Sequence, residues 1–170
     1  MERGHQVGPK QNLVLVDTNI FVIDLRYKMD AYYEINRAFL DHMAEQKNGF
    51  TTIVNLLELC GILSFNLNEN QLAELWSYFQ DRYAVVVLPV PILETKFPGI
   101  EIKEIFDLLK HRTSLGDALM ISVAKKHLPF ISAMITWDNM HFKNIFHGTV
   151  LTPEEFLQPS DDDEESKVTT

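Results

Sequence analysis

Short aliphatic runs alternate with longer stretches of helical period along almost the whole chain, and this alternation narrows the possible folds more than any other feature. The runs fall at 13–16, 50–54, 84–88, 131–136 and 149–151. Helical stretches are expected at 20–27, 32–46, 55–65, 71–83, 100–111, 115–127 and 138–146, with a capped final turn at 152–157. Two strands joined through a helix pair most simply in parallel, and repeated units of this kind build a parallel sheet covered on both faces. The reading is therefore an α/β fold with a central parallel sheet. No internal repeat or long linker divides it, so one domain is expected over 12–158. A polar, flexible lead at 1–11 precedes it, and an acidic, solvated tail at 159–170 follows.

A chain of 170 residues that is 46% hydrophobic can bury a substantial core. No apolar run reaches the roughly 18 residues that a membrane span needs, and residues 1–11 lack the apolar core of a secretory signal. The single cysteine, Cys60, lies in an apolar segment where a buried thiol is expected and no internal disulfide can form. These features point to a cytoplasmic protein with no membrane partner. The net charge of −9 argues against broad coating of nucleic acid, but Asp161-Asp162-Asp163-Glu164-Glu165 carry five of those charges outside the expected domain. A small catalytic site acting on phosphodiesters remains compatible with that balance.

Four acids stand out by position. Asp17 follows Leu13-Val14-Leu15-Val16, at the carboxyl end of the first strand, where ligands of an open parallel sheet bind. An aspartate there also serves as the N-cap of the next helix. Asp138 repeats the pattern after Ile135-Thr136-Trp137. Glu58 lies about one turn into a helix that is apolar nearly all round (Leu56, Leu57, Leu59, Cys60, Ile62, Leu63), on a face shared with Val54, Gly61 and Phe65. Such a helix should be buried. A buried glutamate is costly unless a lysine, an arginine or a metal ion meets it. Asp117 follows Ser114 by three residues, the spacing of a capping box, although a helix N-terminus also suits an anionic metal ligand.

Two carboxylates about 4 Å apart repel by about 4 kcal/mol at an effective dielectric near 20. Three or four gathered acids would consume much of a domain's roughly 5–15 kcal/mol of net stability. Such groups must shift their pKa, spread apart, or hold divalent cations. An all-oxygen donor set favours Mg²⁺ or Mn²⁺, and a pair of such ions is suited to phosphodiester hydrolysis.

The ordered quartet, Asp17-Thr18-Asn19 after a strand, Glu58 in a helix, Asp117 in Ser114-Leu115-Gly116-Asp117-Ala118-Leu119, and Thr136-Trp137-Asp138, resembles the PIN-domain ribonucleases, among them the VapC-type toxins of toxin–antitoxin pairs. The resemblance implies a three-layer α/β/α sandwich and Mg²⁺- or Mn²⁺-dependent cleavage of RNA. It implies Asp17, Glu58, Asp117 and Asp138 as catalytic metal ligands, with Glu58 also helping to orient the attacking water. Asn19 and Thr136 would be hydrogen-bonding groups that steady those ligands. An antitoxin protein is an implied partner. A homodimer is expected from the helix pair 32–46 and 71–83, where packing within the domain is the other reading.

The alternative function is a non-catalytic PIN-like module used for protein interaction. A phosphotransfer loop fits poorly, because Asp17-Thr18-Asn19 lacks the second aspartate of a DxD motif. Lys103, Lys110, His111 and Arg112 form either a phosphate-holding patch or a solvated helix face. His141 either approaches the acids or packs at the surface.

Overall fold

The computed structural model describes residues 12–158, so the expected lead and the expected tail both lie outside the described residues. Five strands form one parallel sheet: β1 (Val14–Val16), β2 (Gly49–Thr52), β3 (Val85–Leu88), β4 (Ala133–Ile135) and β5 (Thr149–Leu151), in the order β3-β2-β1-β4-β5. Eight helices accompany it among the described residues: α1 (Thr18–Arg26), α2 (Tyr33–Gln46), α3 (Ile53–Leu63), α4 (Glu69–Tyr83), α5 (Ile102–Leu109), α6 (Leu115–His127), α7 (Asn139–Phe142) and α8 (Pro153–Leu157). This is the expected three-layer α/β/α arrangement. Successive strand residues point to opposite faces, and Val14, Leu15 and Val16 are all fully buried, so helices cover both faces at the centre of the sheet. On the edge strand β3, Val87 is buried while Val86 is 43% exposed.

Topology fixes where a site can form. From β1 the chain winds outward through β2 to β3, then crosses back to place β4 on the other side of β1, with Leu15 beside Met134. Strand order reverses between β1 and β4, and the crevice beyond the carboxyl ends at such a reversal is the natural ligand position in an open α/β sheet. Asp17 and Asp138 follow these two strands.

Most elements match their expected ranges, and the differences have local causes. Residues 53–54 join α3 instead of extending β2. Thr52 caps that helix with a reciprocal box, in which its Oγ1 accepts from Asn55 N and its own N donates to Asn55 Oδ1. α1 begins at Thr18, two residues earlier than expected, because the Asp17 side chain accepts from Thr18 N. α7 is a single turn and not a helix over 138–146. The boxes at Asn68/Gln71 and Thr152/Glu155 start α4 and α8.

One expectation is overturned. α3 is not buried all round: Leu57 is 43% exposed and Phe65, just beyond the helix, 88%. Ile53, Leu56, Leu59 and Leu63 form its core side, while Leu57, Glu58 and Gly61 lie on the exposed side. Cys60 is only half-buried. The helix pair expected to form a dimer face packs largely within the domain, with Tyr78 of α4 exposed. Phe39, Leu40 and Met43 of α2 and Phe79 of α4 are buried within the domain.

An edge-to-face aromatic cluster, Phe21, Phe79 and Tyr83, joins α1 to α4. Full burial of such a side chain stabilises by roughly 1.5–3 kcal/mol. Beside it the buried Asp24 of α1 accepts from Tyr83 Oη at 2.7 Å and pairs with Arg37 at 3.1 Å and Arg82 at 3.7 Å, tying α1, α2 and α4 together. Burial and the Asp24 carboxylate hold the Tyr83 hydroxyl well above its ordinary pKa.

Candidate functional site

Four chain segments converge beyond the carboxyl ends of β1 and β4. Asp17, Thr18, Asn19, Val22, Glu58, Ile62, Asp117, Asp138 and Phe142 line one open cleft of about 250 Å³. All four acids singled out from the sequence therefore face the same space, as do Asn19 and the unforeseen Thr18.

Asp17 is 7% exposed. Its Oδ1 accepts from Thr18 N at 2.7 Å and its Oδ2 from Thr136 Oγ1 at 2.7 Å, so it caps α1 and faces the cleft at once. The Thr136 hydroxyl is fully committed. It accepts from Asn19 Nδ2 at 2.9 Å and from Asp138 N at 3.0 Å, and gives its proton to Asp17. Asn19 Oδ1 in turn accepts from Trp137 N at 3.3 Å. Asn19 and Thr136 thus clip the end of β4 to the end of β1.

Glu58 lies on the open side of α3, so the desolvation expected for it does not apply. It falls instead on Asp17. Thr18 Oγ1 donates to Glu58 Oε2 at 2.6 Å and accepts from Asn55 Nδ2 at 3.0 Å, which orients Glu58 and leaves its Oε1 without a hydrogen bond. Asp117 stands in the first turn of α6. Its N donates to Ser114 Oγ, whose proton goes back to Asp117 Oδ2 at 2.6 Å, and His141 Nε2 lies 3.2 Å from the same oxygen. Ser114 caps the helix, but the reciprocal half of a capping box is missing, and Asp117 Oδ1 stays open to the cleft. Asp138 is exposed, and its side chain makes no cap bond to α7.

Burial, opposed by the Thr136 and Thr18 hydrogen bonds and reinforced by the negative charges of Glu58 and Asp117, lifts Asp17 to a pKa of about 7. A carboxyl so destabilised as an anion gains from any nearby cation. The donors are all oxygen, which suits a hard divalent ion. Among the described residues, however, no three acidic, histidine or cysteine side chains form a ready-made cage. The open oxygens of Glu58, Asp117 and Asp138 would have to swing inward to share an ion, and such an ion would retain several waters, as Mg²⁺ does.

Thr18, Asn55 and Ser114 are the polar groups that sequence reasoning left without a site role; of the two readings of His141, approach to the acids is the one the structure shows. Ser114 carried a signal, its spacing from Asp117. The Thr18–Asn55–Glu58 chain had none, because it joins residues far apart in sequence. Lys103 and Lys110 both pair with Asp107, consistent with a solvated helix face. No helix among the described residues is long and apolar enough to cross a membrane.

A parallel sheet that gathers acids from four segments beyond its carboxyl edge defines an α/β protein with a carboxylate-lined cleft at its strand-order reversal. The family model of the PIN domain matches residues 14–128, and the chain belongs to that family. Thr136 and Asp138 lie beyond the matched stretch. Among solved structures, FitAcB from Neisseria gonorrhoeae aligns at 16% identity and a TM-score of 0.55, over 84% of this chain and 99% of that one. FitAB bound to an IR36 DNA fragment aligns at 17% and 0.52, over 83% and 95%. VapBC2 from Rickettsia felis, bound to a DNA fragment from its promoter, aligns at 19% and 0.52, over 82% and 98%. At such identities these likenesses speak for the fold. Comparison with curated proteins gives no match.

Proposed function

We propose that the protein is a divalent-metal-dependent endoribonuclease that hydrolyses RNA phosphodiester bonds, acting in the cytoplasm as the toxin of a toxin–antitoxin pair. The observation that carries this reading is the convergence of Asp17, Glu58, Asp117 and Asp138 on one cleft. These four would hold Mg²⁺ or Mn²⁺. A bound ion supplies positive charge against which a phosphodiester can be hydrolysed, and it acidifies water. The chain supplies the rest. Thr136 and Thr18 N hold Asp17, Thr18 Oγ1 sets the Glu58 carboxylate so that Oε1 can orient a water, and Ser114 holds Asp117. The water's oxygen bonds to phosphorus as its O–H proton passes to solvent and the bond to the leaving oxygen breaks, and the leaving oxygen takes up a proton from solvent, so that one water is added across the bond.

Cleavage of RNA should require Mg²⁺ or Mn²⁺, cease in EDTA, and be lost in Asp17→Asn with the circular dichroism spectrum unchanged. Undiminished cleavage by that variant overturns the role given to Asp17. A second reading, a non-catalytic interaction module, is favoured by the absence of a ready-made cage among the described residues; it predicts no cleavage with any divalent ion.

The described neighbours FitAB and VapBC2 support an antitoxin partner. A groove of about 440 Å³ lined by Leu25, Leu63, Leu67, Leu75, Tyr78 and Phe79 is the apolar face we assign to it. A homodimer through the helix pair α2 and α4 is part of the same reading, and light scattering that finds a monomer at micromolar concentration removes it.

A further inference from the structure

Tyr32 and Trp137 form a stacked pair, with ring centroids 4.3 Å apart and planes 24° from parallel. Trp137 packs against the edge of the hydrophobic core, Tyr32 covers it from outside, and neither ring lines the carboxylate cleft. Trp137 is only partly buried, and Tyr32 is 51% exposed. Yet the indole is held with care. Its Nε1–H donates at 2.9 Å to Asn36 Oδ1, and Asn36, fully buried, donates from Nδ2 to Ile20 O at 2.9 Å. The Trp137 backbone N is fixed by Asn19. Tyr32 is set by Asp30, whose Oδ1 accepts from Tyr32 N at 2.8 Å. A rigidly mounted ring pair that leaves much of its outer ring in water is stacking surface without an occupant.

Position and charge indicate what the occupant is. Trp137 stands in the chain between Thr136, which holds Asp17, and Asp138, which lines the acidic cleft, so the pair is mounted on the same β4 end that supplies the cleft. Arg26, at the end of α1, and Lys28, in the connection that carries Tyr32, are exposed; among the described residues neither pairs with a carboxylate, and the Arg26 guanidinium lies over the Tyr27 ring, 5.5 Å from its centroid. The one acid of that connection, Asp30, is engaged with its own backbone. Exposed aromatic surface near cations without a carboxylate partner, beside a cleft read as cleaving phosphodiesters, matches the face of an unpaired base with its flanking phosphates. A base inside a duplex has both faces already covered, so the platform suits single strands.

We propose that the Tyr32–Trp137 pair is a nucleobase-binding platform that seats an unpaired base of single-stranded RNA next to the carboxylate cleft. This inference rests on the ribonuclease reading for its choice of ligand, but its test does not require cleavage. The full chain, in EDTA and low salt, is titrated with a short single-stranded oligouridylate or oligoadenylate while tryptophan emission is followed. Binding should quench the emission. Tyr32→Ala should weaken binding by about 5- to 150-fold, and Tyr32→Phe, which keeps the ring, should bind within about twofold of the parent. A duplex of equal length should bind no better than the alanine variant does.

Unchanged affinity in Tyr32→Ala with an unchanged melting curve overturns the platform. So does an equal loss in Tyr32→Phe, which would assign the effect to the hydroxyl, or equal competition by the duplex. Metal-dependent cleavage by a chain whose Tyr32→Ala variant binds RNA normally would remove the platform and leave the nuclease standing. Single-strand binding lost in Tyr32→Ala, without cleavage in any ion, would do the reverse.

Discussion

Asp17 makes the strongest quantitative statement in the molecule. Its pKa of about 7 in the folded chain compares with 3.8 for the free side chain. The difference of about three units, at 1.36 kcal/mol each, sets an upper limit of about 4 kcal/mol on its contribution to the pH dependence of folding. The folded state binds the proton more tightly than the unfolded chain. This stabilisation is therefore complete below about pH 4 and disappears as pH rises through about 7. Other carboxylates titrate over the same range, so the informative quantity is the difference between the parent chain and Asp17→Asn, both in EDTA. That difference should move against the parent by up to about 4 kcal/mol between pH 4 and pH 8, or roughly 8–16 °C in melting temperature for a domain of this size. Calorimetry or thermal circular dichroism at several pH values measures it. Adding Mg²⁺ or Mn²⁺ at the alkaline end should restore much of the loss in the parent and little in the variant. Melting temperatures of the two chains that run parallel across the range would refute the claim that the Asp17 anion is held at a cost.

Two other substitutions probe the frame around the cleft. Asp24→Ala leaves the buried Tyr83 hydroxyl without its acceptor and frees Arg82, while Arg37 keeps its pair with Asp41; because both arginines are near half exposed and can hydrate, the expected cost is about 3 kcal/mol, with Asp24→Asn clearly milder in urea titration. Thr136→Val keeps the shape but strands Asn19 Nδ2, Asp138 N and Asp17 Oδ2, so it should cost about 2–3 kcal/mol and push the Asp17 transition to higher pH, whereas Thr136→Ser should stay close to the parent.

The sheet was legible because its signal is local. A few aliphatic residues bounded by helical periods identify a strand wherever they occur, and parallel order follows from the helices between them. Asp17 and Asp138 were legible for the same reason, as acids directly behind strands. What could not be read was orientation around a helix that is apolar on every side. Counting Leu56, Leu57, Leu59 and Leu63 gives burial but not which residue looks outward, and so Glu58 was expected inside when it lies on the open side. Networks between distant segments were equally hidden. Nothing near Thr18 announces that its hydroxyl bridges Asn55 and Glu58, and His141 lies three residues after Asp138 yet turns toward Asp117. The boundary between β2 and α3 shifted because a two-residue capping exchange at Thr52 and Asn55 outweighs the β-branched character of Ile53 and Val54.

The reversal of strand order at β1 sets a schedule for the growing polypeptide. The first strand emerges early in synthesis, but the neighbour on its β4 side is not made until Ala133–Ile135. Until then one flank of β1 presents unpaired backbone groups, a hazard for association with other chains, and Asp17 lacks the Thr136 hydroxyl. A nascent chain therefore cannot assemble the complete pocket until Ala133–Ile135 and the Thr136 that follows have been made, and a premature stop before β4 leaves a sticky half-sheet whose Asp17 has no hydroxyl partner.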